Sequence, residues 1–231
     1  MTLAGGAIVG LLSLVPLTIY AIALFVLECS HGVCMLLAAL GAFAAYDVWY
    51  FIDMFIYQVH LAVLPQPTSP KIGLMDTHLR HLRVTLNDID RNGHCNNARY
   101  LRECGAGRRD FWKANGVWDI IRKHGGNLVV GAQTVRYRRE LALWQSYTLE
   151  TRVLAWDDRA YYVEHRFVST ENPPFIHAIV LVKNNVLGAK RPHELVSIVA
   201  KDQVQPAIPE EVALWIKSNQ VSSAKLRPKK Q

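Results

Sequence analysis

No charged side chain interrupts residues 2–27, a stretch of 26 rich in Leu, Ile, Val and Ala. A helix that crosses a lipid core needs roughly 20 predominantly apolar residues. The run therefore predicts a membrane-crossing element before any other property of the chain is considered. Glu28, Ser30, His31 and Gly32 break it. A second run, residues 33–52, is apolar apart from Asp47 and carries Tyr46, Trp49 and Tyr50 near its end. Aromatic residues gather in this way at a membrane interface. Asp47 would be costly deep in lipid but tolerable near the interface, so one span and a two-span hairpin both stay open. A cleaved leader fits less well, because no basic residue precedes the run, the run is too long, and another follows. Residues 1–60 are thus expected to make this an integral membrane protein anchored in a lipid bilayer.

Charge divides the chain at the same place. All 26 Lys and Arg residues lie from Lys71 onward with 16 of the 19 acidic residues, so the net +7 combines −3 before Lys71 with +10 after it. Positive charge marks the cytoplasmic flank of a span, which predicts a cytosolic domain. The ending Arg227-Pro228-Lys229-Lys230-Gln231 resembles a basic retrieval signal of the endoplasmic reticulum, and reads equally as a solvated tail. Pro65, Pro67 and Pro70 suggest a stiff, extended linker. The expected boundaries are an anchor over 1–60, a linker over 61–75 and a folded domain over 76–231. A basic domain can meet nucleic acid, an anionic surface or a phosphate-bearing small molecule. Nucleic acid is not expected, because the basic residues are scattered among apolar ones without a zinc-finger, helix-turn-helix or RNP pattern. Cys29, Cys34, Cys95 and Cys104 form no CxxC pair and no disulfide framework.

The domain reads as a strand over 79–86, a helix over 98–114 capped by Asn96 or Asn97, a short helix over 118–123, and strands over 127–140, 146–156, 160–169 and 175–186. A last helix starts near Pro209. Alternation is clearest in the second of the four later strands, where Tyr147, Leu149, Thr151 and Val153 share one face. An antiparallel sheet wrapped around one helix would bury the apolar faces of both. Its edge strands would need covering, which predicts at least a homodimer.

The stretch Asp88-Ile89-Asp90-Arg91-Asn92-Gly93-His94-Cys95-Asn96-Asn97-Ala98-Arg99-Tyr100 resembles the strand-to-helix segment of hotdog-fold acyl thioesterases, D-x-D-x-x-G-H-x-N-N-x-x-Y. The likeness extends over about residues 75–200. It implies an α+β hotdog fold, an antiparallel sheet around a central helix. The implied reaction is cofactor-free hydrolysis of an acyl thioester such as acyl-coenzyme A. In the similar plant acyl-carrier-protein thioesterases, the positions matching Asp90, Asn92 and His94 belong to the active site. Tyr137-Arg138-Arg139-Glu140 matches their Y-R-R-E, with Glu140 at the proposed acid.

Elementary chemistry agrees with that set. Thioester hydrolysis needs a carboxylate as base or nucleophile and donors where the carbonyl becomes an oxyanion. Asp90 suits the first role, with His94 or Glu140 to relay protons. Backbone N–H groups around Asn97 and Ala98, at a helix start, suit the second. Arg91 and Arg99 are candidates for the phosphates of coenzyme A. The plainer readings are turn chemistry for the two aspartates, capping for the asparagines, a solvated His94, and a Glu140 paired with Arg136 or Arg138. No HExxH, GxSxG, P-loop or GxGxxG occurs. His78 and His81 lack further ligands, so no metal is expected. An acyl-binding module with little turnover, or a scaffold, remains the alternative to an enzyme.

Overall fold

The structure, a computed structural model, describes residues 3–64, 72–188 and 190–226, with side chains from residue 14 onward. Pro65, Pro67 and Pro70 of the expected linker and the basic tail 227–231 lie outside the described residues. The chain divides into two compact units, Met1–Gln66 and Pro67–Gln231.

The first unit holds α1 (Leu3–Phe25), α2 (His31–Ala45) and α3 (Val48–Val63). After α1 the chain reverses through Glu28, whose φ is 50°, and the Cys29 N–H returns to the Ala23 carbonyl. Tyr20 Oη then meets His31 Nδ1 at 2.7 Å across the α1–α2 pair. The second apolar run is not one helix. Asp47 accepts a hydrogen bond from the Tyr50 N–H at 3.2 Å, capping a new helix, and α2 and α3 meet at a bend of 93°. A carboxylate that satisfies free N–H groups favours a helix start over a helix interior, which explains why the run breaks there.

The expectation of an integral membrane protein is overturned by this arrangement. Among the residues described with their side chains no single helix is long and apolar enough to cross a membrane: that part of α1, Leu14–Phe25, is too short, and only the bent α2–α3 pair, taken together, reaches the length and hydropathy required. The cytosolic orientation rested on that anchor and falls with it, and so does the placement in the membrane of the endoplasmic reticulum, for which the tail 227–231 was the signal.

The second unit runs β1 (His78–Arg83), α4 (Asn97–Ala114), α5 (Val117–Lys123), β2 (Asn127–Tyr137), β3 (Ser146–Trp156), β4 (Ala160–Ser169), β5 (Ile176–Leu187), α6 (Pro192–Val199) and α7 (Glu210–Leu226). The strands form one antiparallel sheet in the order β1-β3-β4-β5-β2. The α4 helix lies on it through Tyr100, Cys104, Gly107 and Phe111, a stripe at helical spacing. Tyr100, Cys104, Leu149, Phe167, Val180 and Val182 share one core cluster. Phe111, Trp112, Tyr161 and Val163 share another with Leu195 and Val196 of α6. On the opposite face, Trp215 and Ile216 of α7 pack with Val212 against Ala155, Tyr162 and Leu181. This is the expected hotdog arrangement, a sheet around a helix.

Local chemistry sets the boundaries. The β1 strand stops at Arg83, short of residue 86, because Asp88 takes the Thr85 N–H at 2.8 Å and its hydroxyl at 2.7 Å and turns the chain. The α6 helix was not anticipated. It starts at Pro192 with Glu194 accepting the Arg191 N–H at 2.7 Å.

Gly107 shows how close helix and sheet approach. A Cβ there would lie 2.9 Å from both Leu149 Cδ2 and Thr151 Oγ1, and both residues are fully buried. Overpacking of that kind costs typically about 1–3 kcal/mol, against a gain of about 1 kcal/mol in helix propensity. Gly107→Ala is therefore expected to lower the melting temperature. Gly105, where an added Cβ would meet nothing nearer than Arg108 Nη2 at 4.0 Å, is the control, and Gly105→Ala should hold or raise it. Equal melts for the two variants would contradict the close approach.

Candidate active site

The segment between β1 and α4 folds into a tight hairpin. Asn96 N–H donates to the Asp88 carbonyl at 2.8 Å, Asp90 N–H to the His94 carbonyl at 3.1 Å, and Gly93 N–H to the Asp90 carbonyl at 3.0 Å. Asp90 Oδ1 also accepts the Asn92 N–H at 2.9 Å. The turn needs Gly93, whose φ of 78° lies in the left-handed region open to glycine. Asn92 sits exposed at the tip.

The far side of the hairpin docks on the chain that follows β2. Cys95 N–H donates to the Leu141 carbonyl at 2.9 Å, and His94 bridges to Ala142. That docking carries His94 between two carboxylates. Its Nδ1 lies 3.8 Å from Asp90 Oδ1 and its Nε2 lies 3.8 Å from Glu140 Oε2. These are ion-pair separations for a protonated imidazole, longer than hydrogen bonds. Asp90 and His94 are about three-quarters covered, while Glu140 is 65% exposed.

His94 and Glu140 line a cavity of about 260 Å³ with Cys95, Asn97, Tyr100, Tyr137, Arg138 and Arg139. The first turn of α4 forms one wall and the end of β2 the other. Tyr137 ties them, its hydroxyl donating to the Asn97 carbonyl at 2.9 Å, and its ring meets Tyr100 edge-on at 5.2 Å. Tyr100 Oη in turn accepts the Leu141 N–H at 3.3 Å. Burial pushes both phenols above the ordinary tyrosine range. Cys95 is held as a thiol, its pKa pushed up to about 12 by burial first and by the charge of Asp88 second. A nucleophilic cysteine needs the opposite shift, so Cys95 is a wall and not an attacking group.

Asp90, His94, Glu140 and Asn97 are thus brought together. Asn92 contributes its backbone N–H to Asp90, while its side chain stays outside. Arg91, exposed, and Arg99, half-buried, do not line the cavity. The Ala98 N–H was expected to be an open donor and is not. Asn96, the capping residue, takes it at 2.9 Å, and of the two N–H groups only that of Asn97 has no acceptor among the described residues. Glu140 pairs with neither Arg136 nor Arg138. Tyr137, Arg138 and Arg139 stood beside Glu140 in the sequence motif without a role, because consecutive residues of a strand normally face opposite ways.

Compared with known proteins, residues 84–216 match the family described as the thioesterase-like superfamily. Protein THEM6 of Xenopus laevis is 38% identical over 195 residues, covering 82% of this chain and 91% of the relative. Protein THEM6 of Danio rerio is 37% identical over 186 residues, covering 80% and 89%. Among solved structures, one described as an oleoyl thioesterase from Lactobacillus plantarum superposes with a TM-score of 0.50 at 18% identity, covering 59% of this chain and 55% of that one. At that identity it speaks to the fold alone.

Proposed function

Because the chain belongs to the thioesterase-like superfamily, with THEM6 proteins among its relatives, we propose that it hydrolyses an acyl thioester, most simply an acyl-coenzyme A, to the free acid and the thiol. The observation that carries the reading is His94 held between Asp90 and Glu140 on the wall of a cavity. A thioester carbonyl placed there would meet the imidazole and Glu140 on one side and the Asn97 N–H at the start of α4 on the other. A carboxylate takes a proton from water, the water oxygen bonds to the carbonyl carbon, and the oxyanion rests on Asn97 and the positive end of the helix. The C–S bond then breaks, and the leaving sulfur takes a proton relayed through His94. In this scheme Asp90 orients the imidazole from behind and stabilises it while it carries the relayed proton, and Glu140, nearer the opening, faces the water. The test is turnover of a panel of acyl-coenzymes A by the purified chain. Tight binding of thioesters with no release of thiol across the panel would replace hydrolysis by acyl binding.

The same reading includes a homodimer. The β2 strand is an 11-residue edge, and Val130 and Tyr137 on it are 45% and 42% exposed. Long edges with apolar side chains are ordinarily paired or covered. Light scattering at micromolar concentration is expected to give twice the chain mass, whereas a uniform monomer would count against the dimer.

A further inference from the structure

At the mouth of the cavity two consecutive arginines converge on one ring. Arg139 Cζ lies 3.9 Å and Arg138 Cζ 4.8 Å from the centroid of Phe175. The backbone explains the convergence. The N–H groups of Arg138 and Arg139 both donate to the His177 carbonyl, at 2.8 and 3.2 Å. One carbonyl serving two successive amides kinks the chain just after β2 ends at Tyr137, so alternation stops and neighbouring side chains reach the same place. His177 Nδ1 in turn contacts the Glu140 carbonyl at 2.9 Å, fixing the residue that follows.

Both guanidiniums are thereby oriented without being neutralised. Arg138 spends one N–H on the Ile176 carbonyl at 2.9 Å, and neither arginine has a carboxylate partner among the described residues. The adjacent carboxylate, Glu140, is turned to His94 instead. An aromatic face holds a guanidinium flat while leaving its in-plane donors free, and those donors suit phosphate oxygens.

Resting on the hydrolase reading above, we propose that Arg138 and Arg139, clamped by Phe175, form a phosphate subsite at the mouth of the His94–Glu140 cavity, which receives the nucleotide end of a coenzyme A thioester. The thiol arm of such a substrate runs inward to the reacting carbon, while its phosphates stay at the rim where the two cations are. Coenzyme A recognition then falls to these two residues and not to Arg91 and Arg99.

The test needs no turnover. Binding of coenzyme A and of pantetheine, the same thiol arm without the nucleotide, is measured by calorimetry on the purified full chain at 50 and 500 mM salt. Coenzyme A is expected to bind at least about tenfold tighter at low salt, as oriented charge-assisted contacts give, and the gap should narrow at high salt. In Arg138→Ala/Arg139→Ala the gap closes to within about twofold. Phe175→Ala narrows it with both charges kept, and Arg139→Gln, the mildest change, narrows it in part. If wild type hydrolyses acyl-coenzyme A, the KM of the double variant rises about tenfold with little change in kcat. Equal binding of the two thiols by wild type overturns the subsite. So does an undiminished gap in Arg139→Gln or in a double variant that melts as wild type does. A gap that appears and collapses as described, in a protein that releases no thiol from any thioester, keeps the subsite and removes hydrolysis.

Discussion

Asp90→Asn is expected to cut thioester hydrolysis by roughly 10²–10⁴-fold, the range typical for disabling general acid–base catalysis, here by removing the charge behind His94, with the melting temperature unchanged. The geometry is what separates the two effects. Asp90 Oδ1 accepts the Asn92 N–H at 2.9 Å and lies 3.8 Å from His94 Nδ1. An asparagine keeps the Oδ1 acceptor, so the turn through Gly93 survives. It loses the negative charge, so the imidazolium that forms while His94 carries a proton is no longer stabilised. Glu140→Gln is the companion measurement. If Glu140 activates the water, that variant loses at least as much as Asp90→Asn. If it only bounds the cavity, its 65% exposure predicts a small effect. Retention of the wild-type rate by Asp90→Asn, with wild-type melting, would end the mechanism.

Acid should destabilise the sheet through His165, a residue with no place in the reaction. It is fully buried on β4 under α4, with Nε2 3.3 Å from Arg108 Nη1 and Nδ1 2.9 Å from Thr151 Oγ1. Arginine only donates, so Nε2 must accept, and the ring's single proton sits on Nδ1 and points at Thr151. Burial first, then the Arg108 charge, hold its pKa well below the usual histidine value. A base kept neutral in the fold but free to protonate when unfolded contributes stability that is complete above the unfolded pKa of about 6.5. That contribution is lost as pH falls below it, at about 1.4 kcal/mol per pH unit. Stability should therefore fall between pH 7 and pH 5, as the unfolded chain takes up a proton that the buried ring resists. Urea unfolding across that range, wild type against His165→Gln, isolates it: the wild-type curve should fall more steeply. Parallel curves would show that the ring does not carry the effect.

Where a periodic pattern ran long enough, sequence and structure agree to the residue. The β3 and β4 strands fall on 146–156 and 160–169 because alternation and the turns beside them leave no freedom. The α4 helix ends at Ala114 as expected because Gly116, with a φ of 79°, follows its cap Asn115. The misreadings came from single polar residues with two physical uses. Asp47 was weighed as a cost within an apolar span, and it starts a helix instead. The Asn96–Asn97 pair had to supply both a cap and an open donor, and the composition of the pair does not say which residue does which. The arginines are the same problem in another form. Arg91 and Arg99 were nearer in sequence to Asp90, but Arg138 and Arg139 reach the cavity through a kink that no local pattern encodes.

The hairpin proposed to carry the reaction hangs from the strand with the weakest attachment to the sheet. The β1 strand has six residues, pairs with β3 on one side only, and meets a partner 73 positions away, His78 opposite Thr151. The β3, β4 and β5 strands are consecutive and pair over longer registers. Closing a long loop for few hydrogen bonds is entropically unfavourable, so the three consecutive strands have the shorter route to assembly and β1 docks late. The order of loosening reverses the order of docking. Amides of β1 and of the Asp88–Asn96 hairpin should exchange with solvent deuterium through partial openings that leave the centre of the sheet protected. Catalytic competence would then fade before the fold does, and a molecule with a full far-ultraviolet spectrum could already have let go of Asp90.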